Sequence, residues 1–297
     1  MARAALAAAW FDLGYDDQAL VAASEARKRS GKLSRSDQLM VEGLERRLSR
    51  DWPRAIEVAR TLWRFYPDDL EQGLRLAQVE LEAGESTAAL VTVAELKRLP
   101  PPAGEDPRID LVEARAAAAL SDFHRQLAVA ERAATRAELA GSRSILARAR
   151  FEQGGAQRKL GDSTGAAGRF EVARRLAGDL GDRAFVASVA QSLANLEQSR
   201  GDVARAERLF EEARATFEAI GNRRRAARVQ VSLGLVASER GELQRAQQLY
   251  ESAGRTLAEL GDRRGAATAA ANLGTMHYLQ WDLSGAEARH LEALATF

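Results

Sequence analysis

The chain has 297 residues, of which 43 are basic and 42 acidic, giving a net charge of +1. That balance argues against a general nucleic-acid or membrane-surface binder. The absence of cysteine excludes disulfides, thiolate chemistry and a cysteine-based zinc site.

Apolar residues make up 46% of the chain but aromatics only 6%, so alanine supplies the difference. With Arg, Glu and Leu it favours helix throughout. No apolar run reaches the roughly 18 residues of a membrane span. The start, Met1 to Trp10, imitates a signal peptide, but Asp12 follows and the segment fits a repeat helix better. A reducing cytoplasm is the expected location.

Taken in order, the chain reads as helical pairs. The first covers 2–33, with Gly14 at its inner turn and Ala19, Ala23 and Ala26 as a small face. The second, 36–67, carries Gly43 and Ala55 and closes at Pro67. The third, 70–100, carries Ala77, Gly84 and Ala89. These step by roughly 34–36 residues, in the range of stacked repeats. Pro100-Pro101-Pro102 then favours an extended spacer. The expected organisation is therefore 1–100, a proline-rich joint over 101–106, and 107–297. The joint reads either as a hinge or proline ligand, or as a stiff connection between repeats.

The fourth pair, 107–140, has Ser121-Asp122 at its turn and Gln126 at a position that is small elsewhere. The fifth, 147–180, has Arg150 and Gln153 in apolar or small columns, and Gly154-Gly155 inside its first helix. Pairs over 187–220 and 227–260 are the clearest, and an eighth, 267–297, ends inside its second helix. That end would leave Leu291, Leu294 and Phe297 uncapped. Either the sequence is a piece of a longer protein, or the open end docks onto another copy.

From Gly161 onward the punctuation recurs every 40 residues or so. Gly161-Asp162 returns as Gly201-Asp202, Gly241-Glu242 and Trp281-Asp282; Leu180-Gly181-Asp182-Arg183 returns as Ile220-Gly221-Asn222-Arg223 and Leu260-Gly261-Asp262-Arg263. Glycine there suits a left-handed helix end, and the following acid can take up free N–H groups of the next helix. Between the marks run three columns: Ala166, Ala206, Ala246, Ala286; Phe170, Phe210, Tyr250, His290; and Ala173, Ala213, Ala253, Ala293. They share one helix face, with an aromatic wedge between small residues. Leu193-Ala194, Leu233-Gly234 and Leu273-Gly274 supply a close-approach point on the preceding helix.

These residues, Leu233-Gly234, Gly241, Ala246, Tyr250 and Ala253 above all, resemble the tetratricopeptide repeat family. The longer period resembles its extended subclass in bacterial signalling and eukaryotic scaffold proteins. The resemblance implies an all-α, right-handed solenoid of about eight helix-turn-helix units. It also implies a protein-interaction scaffold without catalysis or cofactor, whose first helices line a concave groove. Carried over to this sequence, the groove is expected to use Arg115, Arg148, Phe151, Arg158, Lys159, Gln191, Asn195, Gln198 and Tyr278. Its fourth to sixth units would present a basic-to-polar floor, read either as a site for an acidic protein or peptide partner or as a solvated face. The family's carboxylate clamp for chaperone tails is not matched.

No catalytic arrangement emerges. His290 takes a column that is Phe or Tyr in sibling units, and His277 one where the family places Tyr; both read as packing replacements. Adjacent acids such as Glu211-Glu212 do not face each other on a helix, and no phosphate-cradling loop is present. Arg223-Arg224-Arg225 and Arg263-Arg264 read as helix-start surface residues at the joints. The leading expectation is the sensor or recruitment region of a larger bacterial signalling protein. The competing expectations are a single-stranded RNA binder and a peptide-pheromone receptor.

Overall fold

The computed structural model describes residues 1–296, the side chain of Asp12 excepted; Phe297, expected at the open end, lies outside the described residues. Sixteen α-helices and no strand occur among the described residues. The chain divides into two compact units, Met1–Asp182 and Arg183–Phe297.

The first unit holds α1 (Ala2–Asp12), α2 (Asp16–Lys28), α3 (Arg35–Leu48), α4 (Trp52–Phe65), α5 (Leu70–Ala83), α6 (Ser86–Leu96), α7 (Pro107–Ala119), α8 (Phe123–Leu139), α9 (Arg143–Lys159) and α10 (Ser163–Asp179). The second holds α11 (Arg183–Ser199), α12 (Val203–Ala219), α13 (Arg223–Glu239), α14 (Leu243–Glu259), α15 (Arg263–Leu279) and α16 (Leu283–Leu294). Within each unit every helix packs on the next. Where non-consecutive helices pack as well, they are α1 with α3, α5 with α7, α7 with α9, and α13 with α15. The odd-numbered helices therefore form one layer and lie closest together. Each unit is a stretch of all-α solenoid, the fold class expected from the columns.

Two 17-residue helices and two three-residue joints make up the long repeat, as in α13, Arg240–Glu242, α14 and Leu260–Asp262. Helices α9, α11, α13 and α15 start at Arg143, Arg183, Arg223 and Arg263, ahead of the expected 147, 187, 227 and 267. Before α13 and α15 the joint Asn222 or Asp262 is an N-cap, so the helix begins with the residue after it; Ser142 holds that place before α9. Asp122, Asp162, Asp202, Asn222, Asp262 and Asp282 each accept a backbone N–H three residues on, at 2.8–3.2 Å. Glu242, one carbon longer, makes no such bond.

Gly241 stands at φ +76°, with open space where its Cβ would be. Gly241→Ala therefore meets no neighbour and isolates the backbone cost. It should lower the stability of the second unit by about 1 kcal/mol, read as a shift in urea midpoint. Ser121 and Trp281 adopt the same conformation without being glycine, at φ 62° and 63°.

The cores follow the columns. Phe170, Phe210 and Tyr250 are essentially inaccessible, as are Ala166, Ala206 and Ala246. Gly154, expected as a helix weakness, has a packing reason: a Cβ there would lie 2.8 Å from the Phe170 ring. Gly234 bears the same relation to Tyr250, at 2.5 Å, and Gly274 to His290, at 2.8 Å. The His290 ring faces Gly274 as its column mates face theirs but stays exposed where they are buried, while His277 bonds the cap residue Asp282 at 2.9 Å.

Candidate functional site: the layer of odd-numbered helices

In the first unit the odd helices surround a cavity of about 450 Å³. Met1 and, on α1, Ala4, Ala5, Ala8 and Phe11 line it; α3 contributes Met40, Gly43, Leu44 and Arg47. Helix α5 adds Glu71, Leu74, Arg75, Gln78 and Val79, and α7 adds Arg108. The spacing i, i+3, i+4, i+7 on α3 and α5 is one helix face. Between them the floor is formed by Ala55, Val58, Ala59 and Leu62 of α4. It is reached past Gly43, where a Cβ would stand 3.1 Å from Val58 Cγ1. The lining is apolar at the bottom and carries three guanidinium groups and one carboxylate, the pattern of a ligand-binding concavity.

Two of these guanidinium groups are committed. Arg47 donates to both Glu82 oxygens, Nε at 2.7 Å and Nη2 at 2.6 Å, and lies 4.6 Å over the Phe11 ring. Arg108 holds Asp106 through Nε (3.0 Å) and Nη2 (2.9 Å) and reaches Glu71 at 2.7 Å. The groove expected from the sequence starts at the fourth pair, so of this cavity only Arg108, at the start of that pair, was expected to line it. Its signal is present in the chain, because Met40, Gly43, Leu44 and Arg47, and Glu71, Leu74, Arg75 and Gln78, repeat the helical spacing used for the later units.

The residues expected from the sequence sit in both units. In the first, Arg115 of α7 is exposed. Its charge acts on Glu152 of α9, which also accepts from Gln126 Nε2 at 2.9 Å. Burial raises the Glu152 carboxyl above its ordinary range, against the pull of Arg115 and Gln126. Stability from such a group is complete below the ordinary carboxyl pKa and is lost as pH rises through the raised one. Glu152→Gln should therefore gain on wild type as pH increases from 4 to 8, measured by urea midpoints.

Arg148 is exposed, and Nη2 pairs with Asp182 at 3.3 Å. Phe151 is half-buried with its ring 5.5 Å from that of Phe170. Arg158 is half-exposed, and Lys159 Nζ lies 5.8 Å above the Phe123 ring. Arg150 and Gln153, the two polar residues in apolar columns, satisfy each other at 3.0 Å.

In the second unit Gln191 and Asn195 are half-buried on α11. Gln198 donates to Glu239 of α13 at 2.8 Å, and Tyr278 on α15 is 62% exposed. The joint arginines are engaged. Arg223 pairs with Glu259 at 3.4 Å and Arg224 reaches the Leu260 carbonyl at 3.4 Å. Arg225 lies 5.6 Å over the Phe217 ring and donates to Ser188. Arg228 grips the buried cap residue Asp262 with two bonds, at 2.7 and 2.9 Å.

Among the described residues no cluster of three or more His, Asp or Glu has the arrangement to hold a metal ion. No helix among them is long and apolar enough to cross a membrane.

Solved structures share this architecture. A Rap protein complexed with competence and sporulation factor superposes with a TM-score of 0.72 at 14% identity, over 99% of this chain and 87% of that one. A signal transduction ATPase with numerous domains and a tetratricopeptide repeat sensor, from Pyrococcus horikoshii, gives 0.67 at 14% identity, over 93% of this chain and 45% of that one. BtubC from P. vanneervenii gives 0.54 at 20% identity, over 84% and 89%. At these identities the likeness is one of fold. No curated protein matches the sequence. Residues 185–255 match the tetratricopeptide repeat family, and both units are built as arrays of the same kind of helical hairpin.

Proposed function

We propose that the chain is a non-catalytic interaction scaffold that takes up a segment of a partner protein or peptide on its odd-numbered helices. The observation that carries this reading is the 450 Å³ cavity of the first unit, apolar in its floor and lined by arginines. A hollow between rigid helices positions a side chain better than a loop surface does. Arg115, Arg148, Phe151, Arg158 and Lys159 extend the surface along α7 and α9. In the second unit Gln191, Asn195, Gln198 and Tyr278 offer polar and aromatic contacts of their own. A role as the sensor or recruitment region of a signalling protein is supported by the fold shared with a repeat described as a sensor.

A random dodecapeptide library selected on the immobilised chain tests the reading. Ala5 is exposed on α1 and lines the cavity, so Ala5→Trp fills the hollow without entering the core. Enriched peptides should bind wild type and lose at least tenfold in affinity on the Trp variant. Equal binding to both, or no enrichment, would remove the cavity as the site.

A further inference from the structure

The third guanidinium of the cavity differs from the other two. Arg75 is half-buried on α5, and its single hydrogen bond runs from Nη1 to the amide oxygen of Gln72 at 3.2 Å. Among the described residues no carboxylate lies within ion-pairing distance of it. Its surroundings explain why. Glu82 is taken by Arg47 in two-pronged fashion, and Asp106 and Glu71 are both taken by Arg108. The two acids whose charges act on Arg75 are engaged elsewhere, Glu71 by Arg108 and Asp69 as the cap of α5.

An unpaired charge out of water is costly, and a planar guanidinium presents a fork that fits a carboxylate. Burial, then the neighbouring Arg47 charge, pushes the Arg75 pKa below its usual value against the opposing pull of Glu71 and Asp69, neither of which forms an ion pair with it. The cavity that Arg75 shares with Arg47, Glu71, Gln78 and Arg108 is otherwise walled by methionine, alanine, leucine, valine and phenylalanine side chains. A singly charged carboxylate loses less hydration in such walls than a doubly charged phosphate.

We propose that Arg75 is the anchor for a peptide carboxylate that has an apolar side chain beside it, the carboxylate on the guanidinium fork and the side chain on the floor formed by Ala55, Val58, Ala59 and Leu62. This rests on the reading of the cavity as the partner-binding site and adds its chemical preference. A charge-assisted bond to Arg75 makes an acid-bearing peptide bind about 10- to 100-fold more tightly than its amide counterpart.

The test repeats the dodecapeptide selection on wild type, Arg75→Met and Arg75→Lys, with helix content and melting checked for each. Peptides selected by wild type should be enriched in Asp or Glu next to apolar residues. Changing those acids to Asn or Gln should cost the stated factor. Arg75→Met should still enrich apolar peptides but without the acids, and Arg75→Lys should keep a weaker acid preference.

Apolar peptides without acid enrichment on wild type would overturn the assignment while leaving the cavity as a binding site. An acid preference that Arg75→Met retains would overturn it equally, as would phosphorylated peptides outcompeting carboxylates. Failure of Ala5→Trp to block any selected peptide would defeat the cavity itself, and this inference with it. If Arg75→Met does not fold, equal affinity of wild type for acid and amide peptides decides against the anchor.

Discussion

Replacing Asp110 by alanine should destabilise the Met1–Asp182 unit by about 1–3 kcal/mol, since Arg132 and Arg136 are part-exposed and Arg132 keeps Glu113. Asp110 lies on α7 with no accessible surface. Oδ1 accepts from Arg132 Nε and Nη2 at 3.0 and 2.8 Å, and Oδ2 from Arg136 Nη1 at 2.9 Å. One turn along, buried Glu113 accepts from Arg125 at 3.0 and 2.7 Å, from Arg132 at 3.1 Å and from Lys97.

Two buried acids thus tie α7 to α8 and to the end of α6. Burial alone would raise the Glu113 carboxyl, but Lys97 and Arg125 outweigh it and hold it below the usual range. Removing Asp110 leaves Arg132 and Arg136 with a hole where two negative oxygens stood. The loss should show as a lowered urea midpoint and faster amide exchange in α7 and α8. Asp110→Leu with Arg132→Met and Arg136→Leu should recover most of it, since breaking a buried pair costs more than replacing the whole set with apolar residues. A single alanine change within about 1 kcal/mol of wild type would show that the network contributes little.

Tyr250→Ala should cost the second unit about 3–5 kcal/mol by emptying its centre. The Tyr250 ring is 1% accessible and sits in a cluster with Ala227, Val231, Ala237, Ala246, Ala253, Leu257, Ala269, Leu273 and Met276. It joins α13 to α15 through α14, so truncation loosens three helices at once. Burial, with the Glu239 charge, pushes its phenol up to about 12, so the ring stays neutral at any working pH. Tyr250→Phe should therefore be nearly silent, which separates packing from the hydroxyl. The reciprocal change, Gly234→Ala, puts a methyl group 2.5 Å from the ring. Its overpacking should cost about 1–3 kcal/mol in wild type and little in Tyr250→Ala. Additive effects in the double variant would mean that the two residues do not share a space.

The fold was legible because the repeat is written in small residues whose spacing admits one kind of packing. Gly234, Ala246, Tyr250 and Ala253 have one geometry that satisfies all four. The joints were legible for the same reason, since Asp202 or Asp282 after a left-handed residue has an N-cap as its natural role. Helix starts were less so: the columns mark where helices touch, and the extra turn from Arg143 to Leu146 lies ahead of the first column.

The buried acids were not legible. Asp110 and Glu113 look like solvated residues on a charged helix, and only the approach of Arg132 and Arg136 shows otherwise. The cavity was half legible. Its spacing is plain on α3 and α5, but the hollow exists because the alanines of α1 leave volume unfilled, while Gly43 lets Val58 approach. A sequence records which side chains are small, not whether a neighbour closes over them.

The grip of Arg228 on Asp262 joins two full charges across the α13–α15 seam, with the Asp262 carboxylate buried. Because Asp262 is buried, added salt screens this contact much less than an exposed pair such as Arg223–Glu259, over a Debye length of about 10 Å at 0.1 M. Rising ionic strength should thus loosen the exposed Arg223–Glu259 pair between α13 and α14 while the α13–α15 seam holds. A flexible point along the second unit can in this way be set by the medium, with no change in covalent structure.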